Sequence, residues 1–380
     1  MDRGRKVMVW ILGFVGMAGV ALPLGAGILT LTPENAVVST LAGRGQPGSK
    51  DGPNRASLFR WPTGMAADRH GNLYVADFSN HQIRKVSRSG VVSTFAGNGL
   101  PGHADGIGSE ARFHGPDTLA LDADGHLYVA DADNFRIRKI TPQGLVTTIA
   151  GNQRPGYANG KGSAAQFAYP TGITVDRHGN LYIADRGSHS IRKITSDGTV
   201  STLAGDGKPG YSDGPGNQSR FADPITVIVD SLGNLYVADA GNQSIRKITP
   251  EGLVTTLAGD GKPGYKDGRG TEARFDWPTG VVLDSEGTLY VSDSNNSRIR
   301  RISPAGEVTT LAGAGIPGYS DGPGETARFH FPTGLEVDRN GNLYIADSAN
   351  NLIRFITPGR QQFVHPGLET GEEEFPDVHG

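Results

Sequence analysis

Six copies of one 54-residue unit, with no insertion or deletion between them, predict an all-β fold. The expected architecture is a six-bladed β-propeller of four-stranded antiparallel blades. The first observation is spacing. Leu-Ala-Gly or a near variant starts at Leu41, Phe95, Ile149, Leu203, Leu257 and Leu311, and Tyr74, Tyr128, Tyr182, Tyr236, Tyr290 and Tyr344 recur in the same step. A fixed period of this length marks a repeat architecture. The second is the content of each unit, four short β-type runs separated by turn chemistry. The third is an unpaired fourth strand at the start of the array and a missing one at its end, which suggests closure of a ring.

One unit shows the elements in order. Ile173-Thr174-Val175 is a first strand, ended by the hairpin turn Asp176-Arg177-His178-Gly179-Asn180. Leu181-Tyr182-Ile183-Ala184 is the second, rich in aromatic and β-branched residues. A polar turn after Asp185 leads to Ile191-Arg192-Lys193-Ile194, and Asp197-Gly198 turns the chain into Thr199–Leu203. Four antiparallel strands per unit, repeated six times, describe a propeller. A linear solenoid would need atypical end repeats, and neither end is unusual. Val37–Leu41 is a fourth-strand sequence with no blade before it, while no fourth strand follows Ile353-Arg354-Phe355-Ile356. The expectation is that Val37–Leu41 completes the last blade and removes two open sheet edges.

Three regions follow: 1–36, a propeller over 37–359, and an acidic tail over 360–380. The chain of 380 residues carries a formal charge of −3 and no cysteine. A disulfide framework, a thiol nucleophile and a thiolate metal site are thereby excluded. The repeats are close to neutral, which argues against nucleic acid as a partner. Arg3, Arg5 and Lys6 precede an uncharged run from Val7 to Leu31, long enough for the roughly 20 residues that span a bilayer. Pro23 and the small residues of Leu24-Gly25-Ala26 equally suit a cleaved signal peptide. An anchor and a signal both place the repeats outside the cytoplasm, so extracytoplasmic location is the expectation. The tail, with Gly371-Glu372-Glu373-Glu374, has the composition of a solvated, disordered end.

Gly-Asn-Leu-Tyr-Val-Ala-Asp followed by Asn and Ile-Arg-Lys, clearest over Gly233–Lys247, resembles the NHL repeat, a four-stranded propeller blade. The resemblance covers all six copies. It implies sensor or adhesion domains when exported, and protein- or RNA-binding domains elsewhere, without fixing an activity.

Uniformity across the copies disarms several motifs. Gly-x-Gly-x-x-Gly occurs at Gly43, Gly97, Gly205, Gly259 and Gly313, but no helix follows to hold a pyrophosphate. Gly210-Tyr211-Ser212-Asp213-Gly214 matches a hydrolase elbow, yet Lys266 and Ala158 replace the serine in other copies. Asp51, Asp105, Asp213, Asp267 and Asp321 recur before Gly, as do Asp77, Asp131, Asp185, Asp239, Asp293 and Asp347 at the blade turn. They read as turn caps, the second set also as partners for the Arg of Ile-Arg-Lys, with Ca²⁺ as a lesser possibility. The ten histidines show no zinc spacing, and no other cofactor is implied.

Function must break the sixfold equivalence. The loop leading into each first strand is long, and between its recurring Phe and Pro lie two variable residues. Arg60, Trp61, His114, Tyr169, Asp276, Trp277, His330 and Phe331 in this step form the candidate ligand-binding set. The turn column His81, Phe135, His189, Gln243, Ser297 and Asn351 varies on the same face. Large amphipathic side chains suit a binding surface. The reading is a non-enzymatic extracytoplasmic propeller that recognises a protein, peptide or glycan, with no catalytic residue assigned. It would contact the membrane only through an uncleaved N-terminal segment. The alternative is a propeller enzyme, a metal-dependent lactonase or hydrolase or a lyase, working over the central channel with His114, Asp223, Asp276 and His330.

Overall fold

A computed structural model describes residues 30–359. It contains six antiparallel sheets arranged as the blades of a ring. In the first blade the strands run, from the channel outwards, Pro62–Ala67, Leu73–Asp77, Gln82–Val86 and Val91–Ala96. Each blade has five strands rather than four. The extra one is a two-residue strand from the lead-in loop, such as Gly52–Pro53, which pairs with Val91 and Val92 on the outer edge. The long loop thus covers an edge that would otherwise be exposed.

Closure follows the expected route. Ala36–Ala42 pairs antiparallel with Leu352–Pro358, in the register Val37↔Thr357 and Val38↔Ile356. The sixth and first blades also meet inside the ring, with Ser348 Oγ, in the turn after the second strand of the sixth blade, donating to Pro62 O on the innermost strand of the first at 2.6 Å. Leu31, the last residue of the apolar run, is buried in the ring beside Tyr290, Leu335 and Leu343. Thr30 donates to Glu286 in a first-to-second-strand hairpin. Both ends of the ring therefore emerge on the hairpin face, opposite the lead-in loops. The rest of the signal or anchor run and the acidic tail lie outside the described residues. Among the described residues no helix is long and apolar enough to cross a membrane.

The apolar core lies between blades. Tyr182, Ala184 and Ile191 of the third blade pack on Leu235, Val237 and Ile248 of the fourth, and the other junctions repeat the pattern. Phe59, Phe113, Phe167, Phe221, Phe275 and Phe329 anchor the lead-in loops in this core and are fully buried.

The recurring aspartates do more than cap turns. Arg84 is fully buried. Its guanidinium donates to Asp77 at 2.7 Å, to Asp51 at 2.6 Å and to the Leu58 carbonyl at 3.0 Å. It also stacks over Phe59 at 5.3 Å. Arg138, Arg246, Arg300 and Arg354 reproduce this arrangement. The third blade departs from it: Asn159 replaces the loop aspartate, and Arg192 stands 3.4 Å from Asp185. The carboxylates considered for Ca²⁺ are thus engaged by arginine.

A second departure lies at the closing seam. Glu336 occupies a column that is otherwise Ala66, Ala120, Thr174, Ile228 and Val282. Its carboxyl accepts from the Ala67 N–H across the seam at 3.2 Å. Burial, with a smaller push from Asp338, raises its pKa to about 8.

Two kinds of outcome are expected, one for the arginine network and one for pH. Arg246→Met, which leaves Asp239 buried without its cation, should cost about 3–5 kcal/mol in urea unfolding. Asn159→Asp should stabilise by about 0.5–1 kcal/mol, because the equivalent carboxylates are half exposed. A destabilised Asn159→Asp variant would contradict this account of the arginine. The second outcome concerns pH. Near pH 4 the Glu336 carboxyl is protonated in both states. As pH rises towards 8 the unfolded chain ionises while the fold retains its proton, so stability is lost. Glu336→Gln should remove that component of the decline in melting temperature, and parallel pH profiles for the two proteins would refute it.

Candidate functional site

The lead-in loops and the turns between second and third strands share one face. Most of these turns are single 3-10 turns, for example Phe78–Asn80 and Arg186–Ser188, ending on a residue with positive φ. His81, Phe135, His189, Gln243, Ser297 and Asn351 all adopt this left-handed backbone. So does the residue before the Pro in five blades: Trp61, Gly115, Asp223, Trp277 and Phe331. Four of these five are clamped from the preceding blade. Trp61 N–H donates to Asn351 at 3.0 Å, Gly115 to His81 at 3.1 Å, Asp223 to His189 at 3.2 Å and Trp277 to Gln243 at 2.6 Å. The variable turn column is therefore an inter-blade clamp.

The third blade is the exception. Phe135 offers no acceptor, and Tyr169 N–H turns instead to Asp185 at 2.9 Å. The Tyr169 side chain then lies against Asp117 and Asp133, and burial together with these two carboxylates raises its pKa.

The eight predicted residues do not converge on one point. Trp61, 37% exposed, and Phe331 pack together with ring centroids 5.8 Å apart. Arg60 and His330 are exposed beside them. Asp276 accepts from Asn295 at 2.9 Å, and Trp277 is half-buried. His114 lies 3.7 Å from Asp133 and edge-on to His81 at 5.2 Å. Among the described residues, the four side chains considered for catalysis make no hydrogen bonds or ion pairs with one another.

A different group does gather at one side of the channel mouth. Arg186 Nε donates to Asp223 at 3.1 Å, and the guanidinium lies over the Trp277 ring at 5.6 Å. Asp117, on the innermost strand of the second blade, feels both Arg186 and Asp133. Burial is the largest influence and pushes Asp117 up to about 7, with Arg186 opposing and Asp133 adding. Burial and the neighbouring His114 lower the His81 pKa.

Three members of this group, Asp117, Asp133 and Arg186, are exceptions in their own columns, whereas Asp223 and Trp277 belong to the variable step, where Trp61 matches Trp277. Asp117 stands where other blades have Thr63, Thr171, Ile225, Thr279 and Thr333. Asp133 replaces Ser79, Gly187, Gly241, Asn295 and Ala349, and Arg186 replaces Phe78, Ala132, Ala240, Ser294 and Ser348. Attention to the step between Phe and Pro missed Asp117, Asp133 and Arg186, which lie in neighbouring columns. Reading every column for its odd member would have found them. Together they offer carboxylate acceptors, guanidinium and phenol donors and an aromatic face, a set able to orient a polar ligand.

Among the described residues one group of three metal-capable side chains comes together, Asp122, Asp124 and His126. It is a hairpin turn in which His126 contacts Asp122 as Asn72 contacts Asp68.

The NHL repeat profile matches residues 59–86, 113–140, 167–194, 275–302 and 329–354. The chain is an NHL-repeat protein. Protein SUPPRESSOR OF QUENCHING 1, chloroplastic, of Arabidopsis thaliana is 32% identical over 322 residues, covering 79% of this chain and 30% of that protein. NHL repeat-containing protein 2 of Bos taurus is 31% identical over 340 residues, covering 79% of this chain and 47% of its own length. The chain thus spans less than half of either relative. Among solved structures, an auxiliary nutrient binding protein from Bacteroides thetaiotaomicron superposes with a TM-score of 0.65 at 20% identity, covering 84% of this chain and 76% of that one. That likeness establishes the fold.

The electrostatics of the mouth can be measured. In a carbon-13 titration the Asp117 carboxyl should titrate near neutrality, higher still in Arg186→Ala and lower in Asp133→Asn. An Asp117 that titrates with the surface aspartates, or is indifferent to both substitutions, would contradict the cluster.

Proposed function

We propose that this NHL propeller is a non-enzymatic extracytoplasmic binding module that captures a glycan or a protein segment at the channel mouth on the lead-in face. The observation that carries this reading is the convergence of Asp117, Asp133, Tyr169, Arg186, Asp223 and Trp277. They come from several columns of four blades, and the sixfold ring needs none of them. Packing and turns that every blade requires account for uniform columns, whereas a ligand accounts for exceptions that meet. Trp61 and Phe331, with Arg60, Asp276, His114 and His330 nearby on the same face, would widen the contact for a larger partner.

The placement of the chain ends supports this role. Ala36 and Pro358 pair on the hairpin face, so a segment that tethers the ring, whether to a membrane or to further domains, leaves the lead-in face open. Arg3, Arg5 and Lys6 ahead of the apolar run support export. The fold is shared with an auxiliary nutrient binding protein, which is in keeping with capture.

One observation favours a second reading. A carboxyl that changes protonation near pH 7 beside a tyrosine is a usable acid–base pair, so an enzyme acting over the channel would be built around Asp117 and Tyr169. Catalytic turnover that Asp117→Asn abolishes would decide for it.

The binding reading is tested on a glycan array and a displayed peptide library. Arg186→Ala, Asp133→Asn and Trp277→Ala are each expected to weaken a confirmed hit by about tenfold or more, the effect of losing a charge-assisted or aromatic anchor. Unchanged affinity in all three would remove the mouth from the proposal.

A further inference from the structure

A second set of exceptions lies away from the mouth, between the second and third blades. Arg136 begins the third strand of the second blade, and its side chain is half-buried. Its Nε is buried without a partner, as are those of the six core arginines, whose terminal nitrogens are nevertheless paired. Among the described residues its guanidinium makes no hydrogen bond or ion pair. The surrounding groove, about 390 Å³, is lined by Arg136, Asn152, Gln153, Arg154 and Gln166.

The fifth blade shows how the fold accommodates an arginine at this position. Arg298 stacks on Tyr265 at 3.8 Å and donates to the carbonyls of Asn296 and Ala314 at 3.4 and 3.3 Å. In the second blade His103 stands in place of that tyrosine, and Gln153 in place of Gly315, the glycine against which Arg298 folds. Neighbouring loops also show where a counter-charge belongs. Asp206 holds Arg220 at 2.8 Å and Asp260 holds Arg274 at 2.6 Å. At this junction the same two columns read Asn152 and Gln166, so the acid is absent and both residues are neutral amides. The field of the arginines is felt nearby: after burial, Arg136 and Arg138 are the largest influences lowering the pKa of His103, and the carboxylates that act on Arg136, Asp131 and Asp105, do so without an ion pair. Gln153 Nε2 lies 2.8 Å from His103 Nδ1.

We infer that this groove binds a tetrahedral oxyanion, phosphate or sulfate, with Arg136 as its principal ligand and Arg154 and the Gln166 amide closing around it, while the Asn152 amide N–H is held by the Ser163 and Ala165 carbonyls. A planar guanidinium matches two oxygens of such an anion. A half-buried donor with no protein partner is the kind of group a bound anion satisfies. The anion is either the free ion or the terminal ester of a larger molecule.

The test is calorimetric titration of the full-length protein with inorganic phosphate, inorganic sulfate and glucose 6-phosphate, against chloride at matched ionic strength. Two variants restore what other blades contain. Arg136→Ser introduces the residue of Ser190 and Ser244, and Asn152→Asp the acid of Asp206 and Asp260, so both should fold. Each is expected to weaken binding by about tenfold or more with melting temperature unchanged. Tighter binding of the ester assigns a phosphorylated ligand, and equal binding assigns the free ion. Absence of binding to all three anions, or binding that neither variant alters, would overturn the site.

Discussion

A fully buried arginine held by aspartate is the interaction on which this ring depends. Taking the Arg84 guanidinium out of water is costly unless its donors are satisfied. The chain meets the two terminal nitrogens with Asp77 from the second strand, Asp51 from the lead-in loop and a loop carbonyl, and leaves Nε buried without a partner. One side chain thereby ties a long loop to the sheet that follows it. The partner aspartate reaches further. Asp77 accepts the backbone N–H of Arg60 at 2.8 Å, and Asp131, Asp239, Asp293 and Asp347 do the same for the first residue of the variable step in their blades. The network that stabilises each blade also fixes the backbone from which the site projects.

This coupling explains how a repeat can carry a specific function without losing its fold. The loop is fixed by residues that recur, so the two positions after the invariant Phe are free to differ. The clamp from the preceding blade needs only an acceptor, which Asn351, Gln243 and the two histidines all supply. Phe135 supplies none, and Tyr169 takes a different backbone with its side chain against the acidic pair of the second blade, whereas Phe331 keeps the left-handed backbone without a clamp.

Much of the fold was legible because the signal is periodic. The blade count, the order of strands, the closure by the N-terminal strand and the anchoring of Phe59 and its equivalents all follow from columns. The fifth strand was not legible, since Gly52–Pro53 is too short and too turn-like to read as a strand. The role of Asp51 was hidden for a different reason: its arginine partner lies 33 residues away, and only the return of the lead-in loop onto its own blade brings them together. The site was legible in part. The variable step drew attention to Tyr169 and Trp277, but Asp117 sits inside a strand that reads Pro-Thr-Gly in four blades, and Arg186 inside a turn column that is small in four blades. Their meeting depends on which blades are adjacent, which no single column displays.

The central claim is that function resides in the residues that break the sixfold repeat, and stability in those that obey it. The most direct measurement replaces the exceptions of the mouth by residues of other blades, in one variant carrying Asp117→Thr, Asp133→Gly, Arg186→Ala and Asp223→Trp. Its melting temperature and its binding to the best glycan or peptide from the array are compared with those of the parent. The account predicts a ring that melts within a few degrees of the parent and no longer binds. A variant that binds as well as the parent, or one that fails to fold, would contradict it.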